Sequence, residues 1–310
     1  MVTTFLKPFQ PSLKSSFPLI RSQGNRRDSS EFVEKQQQPL RLSLRKWVNG
    51  TCSTAVFPQI DGCRWLVNYP NNSPRKVQVY ASGPGHFYPN LDTLPESVDW
   101  RSKGAIMKIK DQTDTNSCTA QTLTSCMESL IFIQTGEKVI LSAKEIVDCC
   151  EEFDFEAGLY DIKSAYDYIG NNGVCLEADY PWTKYYSPCR FDAFNSKEKF
   201  YIDGYATVPV QDESWMELAI AQQPVAVELW LVKEDYESYK EGIYSTEYKF
   251  EYVLHMMAAI GYNSKAWIFL NSRGVGYGVD GYMYVKRGMD FERYPEGIGR
   301  VCLNVTYPIM

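Results

Sequence analysis

The pattern of apolar residues changes near residue 200, and this change limits the possible folds more than any other feature of the chain. Before it, apolar residues recur at the spacing of one helix face: Leu123, Met127, Leu130 and Ile131. After it, they form short runs typical of strands: VAVELWL from Val225, HMMAAIGY from His255, AWIFLNS from Ala266 and GYMYVKR from Gly281. Helices followed by strands predict a two-lobed α+β protein with a cleft between the lobes.

Local signals predict where individual helices begin and end. The first helix should end at Gly136, because glycine is favoured just after a helix C-terminus. Ser142 and Glu145 form a capping box, which predicts the start of a second helix. A third helix is predicted from about Leu159 to Ile169, and a fourth near Trp215–Gln222.

The overall composition excludes two classes of protein. The chain has 310 residues, of which 44% are hydrophobic, enough to build a sizeable core. No run approaches the roughly 20 apolar residues that a membrane span requires, which excludes an integral membrane protein. The net charge of −6 argues against a nucleic-acid partner, because affinity for nucleic acids comes from neutralising phosphates.

The first 94 residues are basic, unlike the rest of the chain. They contain 12 Lys and Arg against 5 Asp and Glu, whereas residues 95–310 contain 20 against 33. The first thirty positions contain five basic residues and six serines but one acid, Asp28, as in an organellar transit peptide. A disordered tail explains the same composition equally well. We therefore expect residues 1–40 to be a basic leader that is either disordered or a targeting segment.

Few residues of this chain could form a catalytic pair of a thiol and an imidazole. The chain has nine cysteines but two histidines, His86 and His255. Cys118 lies where a polar loop meets the first helix, and the helix dipole and unpaired backbone N–H groups there should lower the pKa of a thiol. A thiolate near an imidazole is an activated nucleophile for acyl transfer. A buried, inert cysteine is the alternative.

Four segments, in order and at suitable spacing, resemble the papain-like cysteine proteases. They are LPESVDWR at Leu94–Arg101, DQ followed by SC within Asp111–Cys118, HMMAAIGY at His255–Tyr262 and NSRGVGYGVDGYMYVKRG at Asn271–Gly288. The resemblance implies that residues 94–310 form a papain-like two-lobed α+β fold, a helical left lobe and a β-barrel right lobe with the active-site cleft between them. The helical lobe would cover about 105–200, and the barrel about 201–310 together with the segment 94–104.

The same resemblance implies a cysteine-type endopeptidase that hydrolyses peptide bonds through a thiol acyl-enzyme. Cys118 would be the nucleophile, His255 its base and Asn271 the residue that orients the imidazole. Gln112 would donate a side-chain N–H to the oxyanion, beside the backbone N–H of Cys118. The partner would be a peptide or protein substrate. We expect no cofactor and no metal, because adjacent cysteines are not the usual ligand spacing of zinc.

The resemblance also predicts a substrate pocket. Glu228 takes a position that is commonly apolar, and a carboxylate there would favour a basic or polar residue just before the one at the cleaved bond. A solvated Glu on an outward strand face is the alternative. The expected substrate-binding residues are Gly158, Tyr160, Glu228, Met256 and Asn304.

Two departures from the family pattern concern the catalytic residues. Thr119 replaces the Trp that follows the nucleophile, and Arg273 replaces the Trp that shields the hydrogen bond between Asn271 and His255. We therefore expect a bond exposed to water, a His255 pKa lowered by the nearby cation, and an enzyme that is slow or narrow in specificity. Two alternatives stay open: a non-catalytic papain-fold binding or storage protein, and a thiol enzyme recruited for non-proteolytic small-molecule chemistry.

The other cysteines bear on the compartment. Cys149 and Cys189 match one family disulfide, whereas both partners of two others are missing. Few disulfides and no secretory signal predict an intracellular protein, in the cytosol or in an organelle reached through the transit-like N-terminus. By family analogy, a lysosome- or vacuole-type compartment is the alternative. The remaining cysteines of the body are expected to be reduced core thiols: Cys126, Cys150, Cys175 and Cys302.

Residues 41–93 lie where papain-like proteases carry an inhibitory propeptide. They lack its Glu/Arg/Phe/Asn helix pattern, so we expect an atypical pro-region-like segment. The basic N-terminal region could dock over the acidic body in an intramolecular, inhibitory contact. A solvated linker is the alternative for residues 1–40.

Overall fold

The structure, a computed structural model, describes most of the chain from residue 94 onward and three short strands before it. Tyr160, His86 and the leader expected at 1–40 lie outside the described residues. The backbone alone is described for 43–48, 51–56, 66–68 and 159. Complete residues are described for 94–154, 158, 161–190, 197–208, 213–246, 251–288 and 296–310.

The first two helices agree with the predicted boundaries. Helix α1 (Cys118–Thr135) ends at Gly136, whose φ of 74° lies in the left-handed region that glycine adopts without strain. Helix α2 (Ala143–Cys149) begins after Ser142, whose side chain accepts a hydrogen bond from the backbone N–H of Glu145 at 3.0 Å. The predicted capping box is therefore confirmed on the Ser142 side.

The third helix begins later than predicted. Helix α3 (Ile162–Asn172) starts after Asp161, whose side chain accepts a hydrogen bond from the backbone N–H of Lys163. The predicted start near Leu159 was wrong, because Gly158–Leu159 forms a strand paired with Phe153–Asp154. An acidic N-cap thus separates strand from helix.

Strands outnumber helices in the rest of the described chain. Helix α4 (Glu213–Gln222) matches the predicted fourth helix, and a short helix α5 (Lys233–Ser238) follows a long strand. No helix in the part of the chain described here is both long and apolar enough to cross a membrane. The strands are β1 Ser43–Val48, β2 Thr51–Val56, β3 Leu66–Asn68, β4 Val98–Asp99, β5 Phe153–Asp154, β6 Gly158–Leu159, β7 Lys199–Phe200, β8 Gly204–Thr207, β9 Val225–Val232, β10 Ile243–Tyr244, β11 Tyr252–Tyr262, β12 Ala266–Leu270, β13 Tyr282–Lys286 and β14 Asn304–Ile309.

Nine strands form one sheet, in the order β10-β13-β12-β11-β9-β14-β8-β3, with β4 beside β11. The pairing of β10 with β13 is parallel, and the other pairs of this sheet are antiparallel. The β4 pairing joins the N-terminal segment 94–104 to the β-rich lobe. Upstream of residue 94, β1 pairs with β2 and with β7, and β3 pairs with β8.

The packing of α1 on β11 positions the candidate site. Nearly all side chains from Thr119 to Ile131 are buried, and the apolar ones form one cluster with strand residues such as Met257. Thr122 Oγ1 donates a hydrogen bond to the backbone oxygen of Met256 at 3.0 Å. This bond ties the first turns of α1 to the residue next to His255, so the N-terminus of α1 lies beside the imidazole.

The cysteines follow the expected distribution. Cys149, at the end of α2, forms the predicted disulfide with Cys189. Among the described residues, no group of three or more His, Cys, Asp or Glu side chains could hold a metal ion. The predicted core thiols are all buried: Cys126, Cys150, Cys175 and Cys302.

Candidate active site

Cys118 and His255 line the same cavity, of about 300 Å³, although they come from different lobes. Cys118 is the first residue of α1, and His255 lies in β11. Gln112 and Arg273 also line this cavity. Asn271, the remaining predicted catalytic residue, is hydrogen-bonded to His255. The structure therefore brings all four predicted catalytic residues together.

The bond between His255 and Asn271 defines the orientation of the imidazole. His255 Nε2 lies 2.7 Å from Asn271 Oδ1. An amide oxygen can only accept, so Nε2 carries the proton and Nδ1 keeps a lone pair. The backbone N–H of Ser272 also donates to Asn271 Oδ1, at 2.8 Å, which fixes the amide. Nδ1 is thus the nitrogen that can take a proton from Cys118.

This hydrogen bond is buried, so the expectation of a water-exposed bond was wrong. His255 is 4% exposed and Asn271 is 1% exposed. Tyr236 of α5 covers the pair: its ring centroid lies 5.1 Å from that of His255, and its hydroxyl accepts a hydrogen bond from Asn271 Nδ2 at 3.3 Å. The hydroxyl of Tyr277 donates to the backbone oxygen of Tyr236 at 2.8 Å. Tyrosines therefore exclude water without a Trp at position 273.

Tyr236 is the site residue that the sequence did not reveal. It lies in a short helix with acidic neighbours, Glu234, Asp235 and Glu237, and no motif surrounds it. The one local signal is an aromatic residue among charged ones, which indicates that its side chain is buried. Strand β9 ends opposite the first residues of β11, and α5 follows β9 directly. This position brings Tyr236 to Asn271, which is far away in the sequence.

Gln112 is anchored by the loop that carries Asn271. Its Oε1 accepts a hydrogen bond from Ser272 Oγ at 2.6 Å, and its backbone N–H donates to the oxygen of Ser272 at 2.8 Å. Gln112 Nε2 donates to the backbone oxygen of Thr115 at 2.6 Å. An amide nitrogen carries two hydrogens, so one N–H of Nε2 is left for a substrate oxygen.

Burial has the largest effect on the pKa values of Cys118 and His255. Burial raises the pKa of the Cys118 thiol, although hydrogen bonds and the charge of Arg273 act in the opposite direction. The expected lowering of that pKa by the helix start was wrong, because desolvation outweighs it. Burial also lowers the pKa of His255 to about 4; the Asn271 bond opposes this shift and Arg273 adds to it. The predicted direction for His255 is confirmed, with burial rather than Arg273 as the largest cause.

Three predicted substrate-binding residues lie side by side on neighbouring strands. Glu228 of β9 is opposite Met256 of β11 on one side and opposite Asn304 of β14 on the other. Asn304 Nδ2 donates a hydrogen bond to Glu228 Oε1 at 2.8 Å. Glu228 is partly exposed and its hydrogen bond to Asn304 is exposed, so the pocket residue and the solvated surface residue both stay open as interpretations.

Gly158 lies against the loop that precedes the nucleophile. Its φ is 84°, and a Cβ at this position would lie 2.9 Å from the backbone oxygen of Asn116. A side chain would therefore clash with the backbone two residues before Cys118, and the position needs glycine. The backbone of Gly158 borders the nucleophile loop from the helical lobe.

The known sequences that this chain resembles are those of cysteine proteases. Residues 94–300 match the sequence profile described as papain family cysteine protease. Cysteine endopeptidase RepA of Oryza sativa subsp. japonica is 35% identical over 300 residues, which cover 92% of this chain and 75% of that protein. Thiol protease SEN102 of Hemerocallis sp. is 32% identical over 287 residues, which cover 90% of this chain and 76% of that protein.

Solved structures give the same result for the fold. The Carica candamarcensis cysteine protease CMS1MS2, in complex with E-64, matches with a TM-score of 0.64 and 29% identity over 70% of this chain and 99% of that chain. The proform of Amb a 11, a cysteine protease and ragweed pollen allergen, matches with a TM-score of 0.63 and 32% identity over 70% of this chain and 66% of that chain. The predicted papain-like α+β fold is confirmed.

Proposed function

We propose that Cys118 and His255 are the nucleophile and the base of this chain, which belongs to the papain family of cysteine proteases and is a cysteine endopeptidase. The observation that carries this assignment is the 2.7 Å hydrogen bond between His255 Nε2 and Asn271 Oδ1, beside a cavity that Cys118 also lines. The bond leaves His255 Nδ1 to exchange a proton with the thiol. Peptides and proteins are the substrates of this family.

The proposed reaction begins when the Cys118 thiol transfers its proton to His255. The thiolate attacks the carbonyl carbon, and the resulting oxyanion accepts hydrogen bonds from Gln112 Nε2 and the backbone N–H of Cys118, each donor contributing about 3–4 kcal/mol. The C–N bond breaks as His255 returns the proton to the leaving amine, and an acyl-enzyme remains. Water, deprotonated by His255, then attacks the thioester, which releases the acid and restores the thiol.

Two features support a slow or narrow enzyme. The raised pKa of Cys118 and the lowered pKa of His255 favour the neutral pair over the thiolate–imidazolium pair before substrate binds. Thr119, 6% exposed, replaces a large aromatic ring next to the nucleophile with a small polar side chain. Because the reactive ion pair is then a minor form, each turnover includes the cost of forming it.

An epoxide-type inhibitor of cysteine proteases tests the assignment of the nucleophile. We expect a covalent label on Cys118, because this residue is next to a base and partly exposed, whereas the other free cysteines of the described residues are buried. Mass spectrometry of digested protein gives the site. Cys118→Ala should remove the label, and the control Cys150→Ala, at a thiol in the helical lobe, should keep it.

The other outcomes of this labelling experiment point to the alternatives. Label on Cys118 without hydrolysis of any peptide would favour a thiol enzyme for small-molecule chemistry. No label on Cys118 in folded protein would contradict the nucleophile and favour a binding or storage protein.

We also propose that Glu228 sets the preference for the substrate residue just before the one at the cleaved bond. Glu228 is partly buried on its strand between Met256 and Asn304, and Asn304 donates to Oε1, which leaves Oε2 for a substrate cation. A charge-assisted hydrogen bond at a partly desolvated site is stronger than one on an open surface. This supports a pocket for Arg or Lys.

A library of fluorogenic dipeptides measures this preference. We expect Arg and Lys to exceed Leu and Phe at the tested position by about tenfold in kcat/KM, the effect of one good charge-assisted hydrogen bond. Glu228→Ala should abolish the preference. Glu228→Gln, which keeps the shape and the bond to Asn304, should abolish it too if charge is the cause. A preference for Leu or Phe in the unmodified protein would refute the proposal.

The segment 41–93 is proposed to act as an atypical pro-region that packs on the peptidase domain. Strand β1 pairs with β7, and β3 pairs with β8 through Leu66–Asn68 and Tyr205–Thr207, which supports such a contact. The opposite charges of residues 1–94 and 95–310 favour the same association. Relatives of solved structure include a proform, that of Amb a 11.

For the compartment, we propose a lysosome- or vacuole-type location over the cytosol. The disulfide between Cys149 and Cys189 supports this, because disulfides persist in oxidising compartments and are rare in the cytosol. One relative, 36% identical over 227 residues, is the KDEL-tailed cysteine endopeptidase CEP2 of Arabidopsis thaliana. The transit-like N-terminus keeps another organelle as the alternative.

A further inference from the structure

Arg273 places a positive charge at the rim of the catalytic cavity. Its side chain is exposed and lines the cavity together with Cys118 and His255. Its backbone is held by a bridge to Asp111, next to Gln112. Arg273 therefore lines the same cavity as Cys118 and His255, and its backbone is held by the bridge to Asp111.

The guanidinium lies on the same side of the cavity as the imidazole, since Tyr236 is close to both. In the proposed reaction His255 protonates the leaving amine, so the leaving peptide begins beside the imidazole. Tyr236 contacts both groups: its ring centroid is 5.1 Å from that of His255 and 5.7 Å from Arg273 Cζ. Gly158 borders the nucleophile loop from the helical lobe instead.

The charge of Arg273 is not neutralised within the described part of the chain. No carboxylate there forms an ion pair with its guanidinium, which lies 5.7 Å from the ring centroid of Tyr236 and is hydrogen-bonded to that side chain. Two acids lie nearby, and neither forms an ion pair with Arg273. Asp114, which also lines the cavity, lies 3.9 Å from Lys184, and Asp111 Oδ1 accepts the backbone N–H of Thr113 at 2.8 Å.

From this arrangement we infer that Arg273 selects substrates that carry a carboxylate on the leaving side of the cleaved bond. The inference rests on the proposed catalytic roles of Cys118 and His255. Such a carboxylate can be the side chain of Asp or Glu directly after the cleaved bond, or the free C-terminus of a short leaving peptide. An Arg fork suits both, because it binds a carboxylate through two parallel N–H groups.

Two sets of matched peptides distinguish the sources. The first set has an amidated C-terminus and varies only the residue after the cleaved bond, as Glu, Gln or Lys. The second set has Gln there and ends, one or two residues later, in a free acid or an amide. We expect the Glu peptide, the free-acid peptide or both to exceed their neutral partners by about fivefold in kcat/KM at low salt, the effect of a partly exposed ion pair. The excess should shrink at 0.5 M salt, because the Debye length, about 10 Å at 0.1 M salt, becomes shorter and charges are screened more strongly.

Variants assign the effect to Arg273. Arg273→Gln should reduce the ratio of charged to neutral substrate to about one, whereas Lys184→Gln, which removes another cation near the cavity, should leave the ratio as it is. Equal cleavage of all the peptides by the unmodified protein would overturn this inference and leave the endopeptidase assignment intact. A preference that survives Arg273→Gln would also overturn it. No cleavage of any peptide would overturn the catalytic assignment together with it.

Discussion

Replacing His255 with alanine is expected to lower peptide cleavage at least about 1000-fold, as removal of one member of a catalytic unit does. His255 holds the only imidazole in residues 95–310, and its Nδ1 is the proposed acceptor of the Cys118 proton. Without it the thiol stays neutral, because burial already raises the pKa of Cys118. The measurement is kcat/KM on one fluorogenic peptide, with thermal melting to show that the variant is folded.

The matched control uses the second histidine of the chain. His86→Ala should keep most of the activity, because His86 lies in the segment before the peptidase domain. Equal losses in the two variants would contradict the assignment of His255 as the base. A retained epoxide label on Cys118 in His255→Ala, at a much lower rate, would agree with an intact but unactivated thiol.

The proposed catalytic residues could be identified in the sequence because they lie in segments that resemble those of the papain family. Cys118 follows Gln112 by six positions, and Asn271 opens the NSRG segment, so local sequence identifies them without knowledge of the packing. The boundaries of α1 and α2 were predictable for a similar reason, since Gly136 and Ser142 act on their own helices. Each of these features depends on residues close to it in the sequence, so it can be recognised from the sequence.

The environment of those residues could not be predicted in the same way. The absence of the family Trp at position 273 predicts an exposed Asn271–His255 bond, but Tyr236, from a helix distant in sequence, covers it. The pKa of Cys118 was misjudged because the helix start is visible in sequence, whereas the opposing desolvation depends on both lobes. Burial is a property of the assembled fold.

A buried ion pair connects the loop that carries Gln112 to α1. Lys110 is 3% exposed and Glu128 is 1% exposed, and Lys110 Nζ lies 2.7 Å from Glu128 Oε1. That carboxylate oxygen also accepts the backbone N–H of Leu141 at 2.8 Å. The backbone oxygen of Lys110 accepts the N–H of Gly274 at 3.0 Å, next to Arg273. Removal of Lys110 would leave a carboxylate without its cation in the core beneath the site.

Lys110→Met should therefore lower the free energy of unfolding by about 3–5 kcal/mol at pH 7, the effect of leaving a buried charge unpaired. Lys110→Met/Glu128→Gln should recover much of this loss, because a neutral amide oxygen can still accept the Leu141 N–H. Lys108→Met, in an ion pair with Glu177 whose side chains are 43% and 23% exposed, should cost less than about 1 kcal/mol.

The pH dependence of the loss tests its cause. Burial raises the pKa of Glu128, and Lys110 opposes that shift, so removal of Lys110 should raise this pKa further. The folded state of Lys110→Met then binds a proton at a higher pH than the unfolded state does, which makes its stability fall as the pH rises. In denaturant titrations the deficit should therefore be smaller at pH 5 than at pH 7, and the double variant should not show this trend. A deficit independent of pH would mean that lost packing of the Lys110 stem, rather than the charge left on Glu128, causes the instability.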